Sequence, residues 1–429
     1  MATTLSEPKT ETNNSVRNAT IVILVGIVAT TLSQTQVLAK IPIQNLLKNE
    51  LHVDRTVNAA FFFWTTFPWY LKPIVGVITD AFPLLGSRRR SYILSSTILA
   101  TLSWAGLYFT PHEYGKLLWM AIAINLFMVI MSTVVGAYLV EVGQATAGTG
   151  RLTAARQIAM YGSYLPSGAL GGLLASIAFG FTAAACGGIT FLLVPVTLFF
   201  LYEQRKKVNA SELLANAGKQ LKNIATAGTM WAAAGFMALF YIAPGQQTAA
   251  FYRQQDFLHM NTHGQGMLQF TQGLGGVLAA IFYAYACKRI NLRNLLFICL
   301  TGGTLGGLAY LLYYSVPMAF VAEAGFGFGF VLAECALCDL AARATPKGNE
   351  GLGYSLMMSV RNFALYGTDM FGSALMDKYH FSFNSLVLSN AATTAITIPL
   401  VLLLPLTLVM KKDAEAPDDS SAPRTAPQE

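Results

Sequence analysis

Residues 156–163 read RQIAMYGS and residues 361–368 read RNFALYGT, an offset of 205. Each octet opens on arginine and repeats Ala, Tyr and Gly at the same steps. A weaker echo pairs Leu51-His52-Val53-Asp54 with Leu258-His259-Met260-Asn261 at an offset of 207. Two matches at nearly one spacing read as a chain built from two copies of one unit.

The composition around them is that of a membrane protein. Of 429 residues, 54% are hydrophobic and 11% charged, against about 25% charged in soluble domains. That excludes a soluble enzyme and a disordered chain. Five cysteines exclude a disulfide scaffold. A bilayer core needs ~20 apolar residues per helix. Twelve such runs are legible, at 18–44, 57–80, 91–110, 114–141, 152–178, 182–202, 224–254, 264–287, 292–314, 317–342, 352–376 and 383–410. They are too long and too uniformly apolar for the dyad strands of a membrane barrel. The octets fall in the fifth and eleventh runs, as equivalents in two six-span repeats would. Such repeats mark secondary transporters, which bind substrate between the halves near the membrane midplane.

Residues 1–17 are expected to form a tail, 18–202 one six-helix bundle, 203–223 a basic linker, 224–410 a second bundle and 411–429 a disordered tail. Of the 28 Lys and Arg, nineteen fall in loops on the side of the termini and five on the other. Four, Lys40, Lys72, Arg156 and Arg361, fall within spans. The positive-inside rule therefore places both termini in the cytoplasm, in a plasma or bacterial inner membrane. The formal charge of +7 reflects this topology and calls for no nucleic-acid partner.

The stretch PWYLKPIVGVITDAFPLLGSRRRSYI covers residues 68–93. Gly76, Asp80 and Arg88, Arg89 and Arg90 look like a stretched form of the major facilitator loop signature. Gly76 is expected to allow close helix approach, and Asp80 to pair with an arginine or cap a helix. The spelling resembles the folate–biopterin transporter family, matched here by Pro68, Trp69, Lys72, Pro73, Gly76, Asp80, Pro83, Gly86, Arg88, Arg89 and Tyr92. A second match is TPKGNEG at 345–351, similar to that family's loop before the eleventh span. One departure is Gly136, where family members often carry an acid five positions before the place of Glu141. The resemblance implies an all-α major facilitator fold of twelve transmembrane helices in two pseudo-symmetric six-helix bundles. It also implies alternating access and import of a folate or pterin with protons. Another small organic solute, such as a sugar, peptide or drug, moved by uniport or export, remains the alternative.

Ionisable groups inside spans are costly and mark function by default. Arg156 and Arg361 occupy equivalent places and are candidate anchors for substrate carboxylates; pairing with a nearby acid, as a gate, is the other reading. Glu323, Glu334 and Asp369 are the candidate proton carriers, with ion pairing as the alternative for Glu334. Lys72 is placed at the substrate or at an acid, whereas Lys40 is expected to snorkel from the end of the first span. Gln34 and Gln36 in the first span, Gln246 and Gln247 after Pro244-Gly245, and Gln269 in the eighth are candidate pterin ligands. Trp64 is a candidate stacking surface. Asp80, Arg88–Arg90 and Glu141, with Arg343 and Glu350 before the eleventh span, are candidate latches between conformations. No nucleotide motif, metal site or other cofactor site is legible, and a monomer is expected. An integral membrane enzyme would need a cluster of catalytic acids or histidines at one face. All five histidines instead fall in or beside the loops opposite the termini.

Overall fold

The structure is a computed structural model that describes residues 9–82, 84–145, 149–203, 218, 222–287, 289–346 and 350–410. Among these residues the chain is helical throughout, apart from one isolated bridge between Leu84 and Ser87. Among the described residues the helices form twelve spans in two six-helix bundles, the layout of a major facilitator fold, with boundaries close to those read from hydropathy. Seven helices are long and apolar enough to cross a membrane on composition alone. They are the third, fourth, sixth, eighth, ninth, tenth and twelfth spans.

The remaining spans are broken or polar, and they carry most of the site. The first runs Lys9–Leu32 and resumes as Lys40–Asn45. The second is assembled from Arg55–Thr65, Phe67–Tyr70 and Lys72–Ala81. The seventh runs Gly228–Tyr241 and resumes as Gln247–Asp256. The fifth, Thr149–Leu174, holds Pro166, and the eleventh, Glu350–Tyr379, holds Arg361 and Asp369.

Repetition extends to backbone detail. Lys40 and Gln247, which reopen the first and seventh spans, are separated by the same 207 residues as the echoed tetrapeptides. His52 and His259 both take positive φ, 51° and 50°. Asp54 and Asn261 then stand at the N-termini of the next helices. Each bundle has its own core. One is built on Ile93, Trp104, Ile124, Met128 and Leu193, the other on Leu296, Leu300, Ala333, Ala336 and Leu337. The halves also meet in apolar contacts of their own, with Ile41 and Ala175 packed on Phe251 and Tyr252 and with Phe63 and Tyr70 against Phe363.

An even number of spans returns the chain to its starting face. On the opposite, distal face the halves are clasped. Lys48 Nζ meets Asp256 at 2.5 Å, and Arg55 Nε meets Asp377 at 2.8 Å. Thr56 adds its N–H and hydroxyl to Asp377, and Tyr252 donates to the Val53 carbonyl.

Candidate functional site

The chain between the halves of the seventh span, Ile242 to Gln246, cannot satisfy its own backbone, so neighbouring spans do so. The Gly245 N–H donates to the Thr368 carbonyl at 2.8 Å. Asn390 Nδ2 donates to the Pro244 carbonyl at 2.8 Å. The Thr368 hydroxyl donates to the Tyr241 carbonyl at 3.1 Å. Gly245 and Gly372 pack backbone to backbone, with no room for a Cβ on either. Where the helix resumes, Asp369 sits at its N-terminus and accepts from the Thr248 N–H at 3.1 Å and hydroxyl at 2.6 Å. A carboxylate there is favoured by the helix dipole and by free amides.

The break in the first span, Ser33–Ala39, is held in a parallel way within its own half. Gln36 Nε2 donates to the Thr66 hydroxyl at 2.7 Å. Asn125 donates to the Thr35 hydroxyl at 2.8 Å and accepts from Trp69 Nε1 at 2.8 Å.

The two breaks face each other across a cavity lined by Gln36, Lys40, Tyr241, Gln246, Thr248 and Asp369 among others. Gln246 Oε1 is buried there without a protein partner. A second cavity adjoins it, lined by Gln44, Gln254, Gln265, Gln269, Gln272 and Glu323. Glu323, 4% exposed, accepts from Tyr313, from Tyr310 at 3.4 Å and from Gln254 Nε2 at 3.3 Å. Lys40, Gln44 and Gln247 line both cavities, and Lys40 Nζ donates to Gln247 Oε1 at 3.1 Å.

The site thus unites Gln36, Gln246, Gln247, Gln269, Asp369 and Glu323 from the sequence reading. Other candidates lie elsewhere. Gln34 donates to the Thr30 carbonyl of its own helix. Trp64 is 49% exposed beside Phe63 and lines neither cavity. Lys72 lies against Ser132 and the Trp69 ring. Arg361 is paired with Glu334 at 2.5 Å and lines neither cavity. The side chain of Arg156 lies outside the described residues, as do those of Asp80, Glu141 and Glu350. Gly76 departs from expectation: a Cβ would stand 3.7 Å from a Thr133 methyl, ordinary contact, so helix packing does not demand glycine there.

The latch loop has a partner that the sequence did not reveal. Positive φ at Leu85 and Gly86 turns the chain. The N–H groups of Arg88, Arg89 and Arg90 then converge on the Glu203 carboxylate at 2.9, 3.0 and 2.8 Å, joined by the Ser87 hydroxyl at 2.5 Å. Such a nest favours an anion. Burial works against the charge, but the Ser87 hydroxyl and the three N–H groups outweigh it and hold Glu203 below the usual carboxylate range. Arg343 pairs with Asp339 at 2.9 Å, within the tenth span, and Tyr283 of the eighth joins them.

The model of the BT1 family matches residues 34–320 and 330–423. This chain belongs to the BT1 family. Relatives of this BT1-family chain include a folate-biopterin transporter of Synechocystis, 24% identical, the match covering 76% of this chain and 69% of the relative. Another is folate transporter 1 of Plasmodium falciparum, 22% identical, covering 78% and 68%. Among solved structures, a D-xylose-proton symporter matches with a TM-score of 0.69 and 12% identity over 92% of this chain and 98% of that one. Nucleoside transporter NupG matches with a TM-score of 0.65 and 10% identity over 91% and 99%. These likenesses establish the fold. The BT1-family chain is a transporter of a small molecule and an integral, multi-pass membrane protein.

Proposed function

We propose that this BT1-family chain imports a folate or related pterin by alternating access, driven by protons. The observation that carries the reading is the cavity between the two broken spans, where Gln246 presents an unpartnered acceptor beside Asp369. A pterin ring offers a matching edge of donors and acceptors. The names of the relatives supply the substrate class. Gln36, Gln246, Gln247 and Gln269 contact substrate, and Asp369 and Glu323 carry the proton. The Arg361–Glu334 pair serves as a gate strut beside the site. Release of the distal clasp at Lys48–Asp256 and Arg55–Asp377 opens the cavity to that face. Both termini stand in the cytoplasm of a plasma or bacterial inner membrane, and one chain is the working unit.

Uptake of labelled folate into proteoliposomes, with and without an imposed pH gradient, tests this. Accumulation that follows the gradient is expected. Uptake indifferent to the gradient would remove proton coupling, and absence of folate uptake would remove the substrate class.

A further inference from the structure

We propose that Lys40 is the recognition group for a carboxylate on the substrate, and that taking up this carboxylate makes the protein take up a proton. The inference rests on the transport reading above and adds a residue and a coupling rule to it.

Among the described residues, three ionisable Lys, Asp or Glu side chains line the two cavities: Lys40, Asp369 and Glu323. Both carboxylates are already supplied with donors. Asp369 has the Thr248 N–H and hydroxyl. Glu323 has Tyr313, Tyr310 and Gln254. Lys40 differs. An ammonium carries three donors, and the hydrogen bond it makes is to a neutral amide, Gln247 Oε1. It stands in the wall shared by both cavities, with Asp369 lining one and Glu323 the other. Arg361, the anchor suggested by the repeat, is committed to Glu334. Among the described residues, an incoming carboxylate therefore finds its cation in Lys40.

The charge balance then dictates the coupling. When Lys40 is charged and both acids are ionised, the three sum to one negative charge, which repels an anion. A carboxylate that bonds to Lys40 draws it away from Asp369 and Glu323, and a buried carboxylate deprived of its cation takes up a proton. The other titratable groups sharing the cavities are the phenols of Tyr241, Tyr310 and Tyr366, which are neutral near pH 7. The proton therefore goes to Asp369 or Glu323. Solutes without a carboxylate bypass Lys40, so their binding takes up no proton through this displacement.

Calorimetry on the purified full-length protein tests this, with titrations repeated in buffers of different ionisation enthalpy to count protons. The probes are folate, N-benzoylglutamate and 6-methylpterin, which lacks a carboxylate. Wild type is expected to bind folate with uptake of about one proton per ligand. Lys40→Met is expected to weaken folate at least thirtyfold and abolish the linked proton, with 6-methylpterin changed less than threefold. Lys40→Arg, which keeps the charge, is expected to retain the linked proton and guards against a folding defect in the Met variant. Folate binding with unchanged affinity and proton count in Lys40→Met would overturn the role of Lys40 and leave the substrate class standing. Lys40-dependent binding of N-benzoylglutamate without any binding of folate or 6-methylpterin would do the reverse. No binding of either carboxylate by wild type would overturn both.

Discussion

Gly245→Ala tests the joint on which the site is built. A Cβ at Gly245 would lie 2.6 Å from the backbone nitrogen of Asp369 and 2.9 Å from its Cβ. These atoms belong to the middle of the eleventh span and cannot rotate aside. Overpacking of this kind costs about 1–3 kcal/mol. Separating the spans also breaks the Gly245–Thr368 bond, worth about 1 kcal/mol, and stretches the charge-assisted pair from Thr248 to Asp369, worth about 1.5–3 kcal/mol. Even the lower ends of these ranges give about 3 kcal/mol. The matched control is Gly76→Ala, whose Cβ meets only a Thr133 methyl at 3.7 Å and which improves helix propensity by about 1 kcal/mol. The readout is a thermal ramp with a thiol-reactive dye, since Cys186 and Cys299 are buried and react as the bundles open. Gly245→Ala should melt several degrees below wild type and lose transport. Gly76→Ala should melt at or slightly above wild type. Normal melting and normal transport in Gly245→Ala would refute the reasoning.

Three further outcomes follow from named contacts. Arg361→Ala leaves Glu334, 22% exposed, without its cation, which should destabilise by about 3–5 kcal/mol, while Arg361→Met with Glu334→Met should recover most of that; an Arg361→Ala protein as heat-stable as wild type would contradict the pairing. Asp377→Asn removes the negative charge and one of the two oxygens that accept from Arg55 and Thr56 and should raise distal-face labelling of a Gln44→Cys reporter about tenfold, from loss of roughly 1.4 kcal/mol. Asp256→Asn should do less, since Asp256 is 60% exposed and such pairs contribute under about 1 kcal/mol; equal labelling in both variants and wild type would dismiss the clasp. Glu203 is held below the usual carboxylate range, so its contribution is full above the unfolded value, about 4.3, and is lost as pH falls through the folded value. Wild-type melting temperature should therefore drop across that acidic window more steeply than that of Glu203→Gln, and parallel profiles would contradict the nest.

The layout of the fold was legible because hydropathy and the two repeat offsets are local properties of the chain. Pro244-Gly245 likewise announced the break in the seventh span, since proline removes a donor and glycine loosens the helix. The break at Ser33–Ala39 contains neither residue, so the first span read as continuous and Lys40 read as a snorkelling end group. The signal was present in the repeat: an offset of 207 maps Lys40 onto Gln247, the first residue after the announced break. Glu203 was out of reach, because its nest is formed by residues some 115 positions earlier and nothing in its neighbourhood marks it. The sequence offered Arg361 two roles, and only packing could show Glu334 at its side.

The most direct measurement is a cryo-EM density map of the protein saturated with folate. Ligand density is expected in the cavity between the two broken spans, with the ring beside Gln246 and Asp369 and a carboxylate on Lys40. Folate density elsewhere, or an empty cavity under conditions in which the protein transports folate, would contradict this placement.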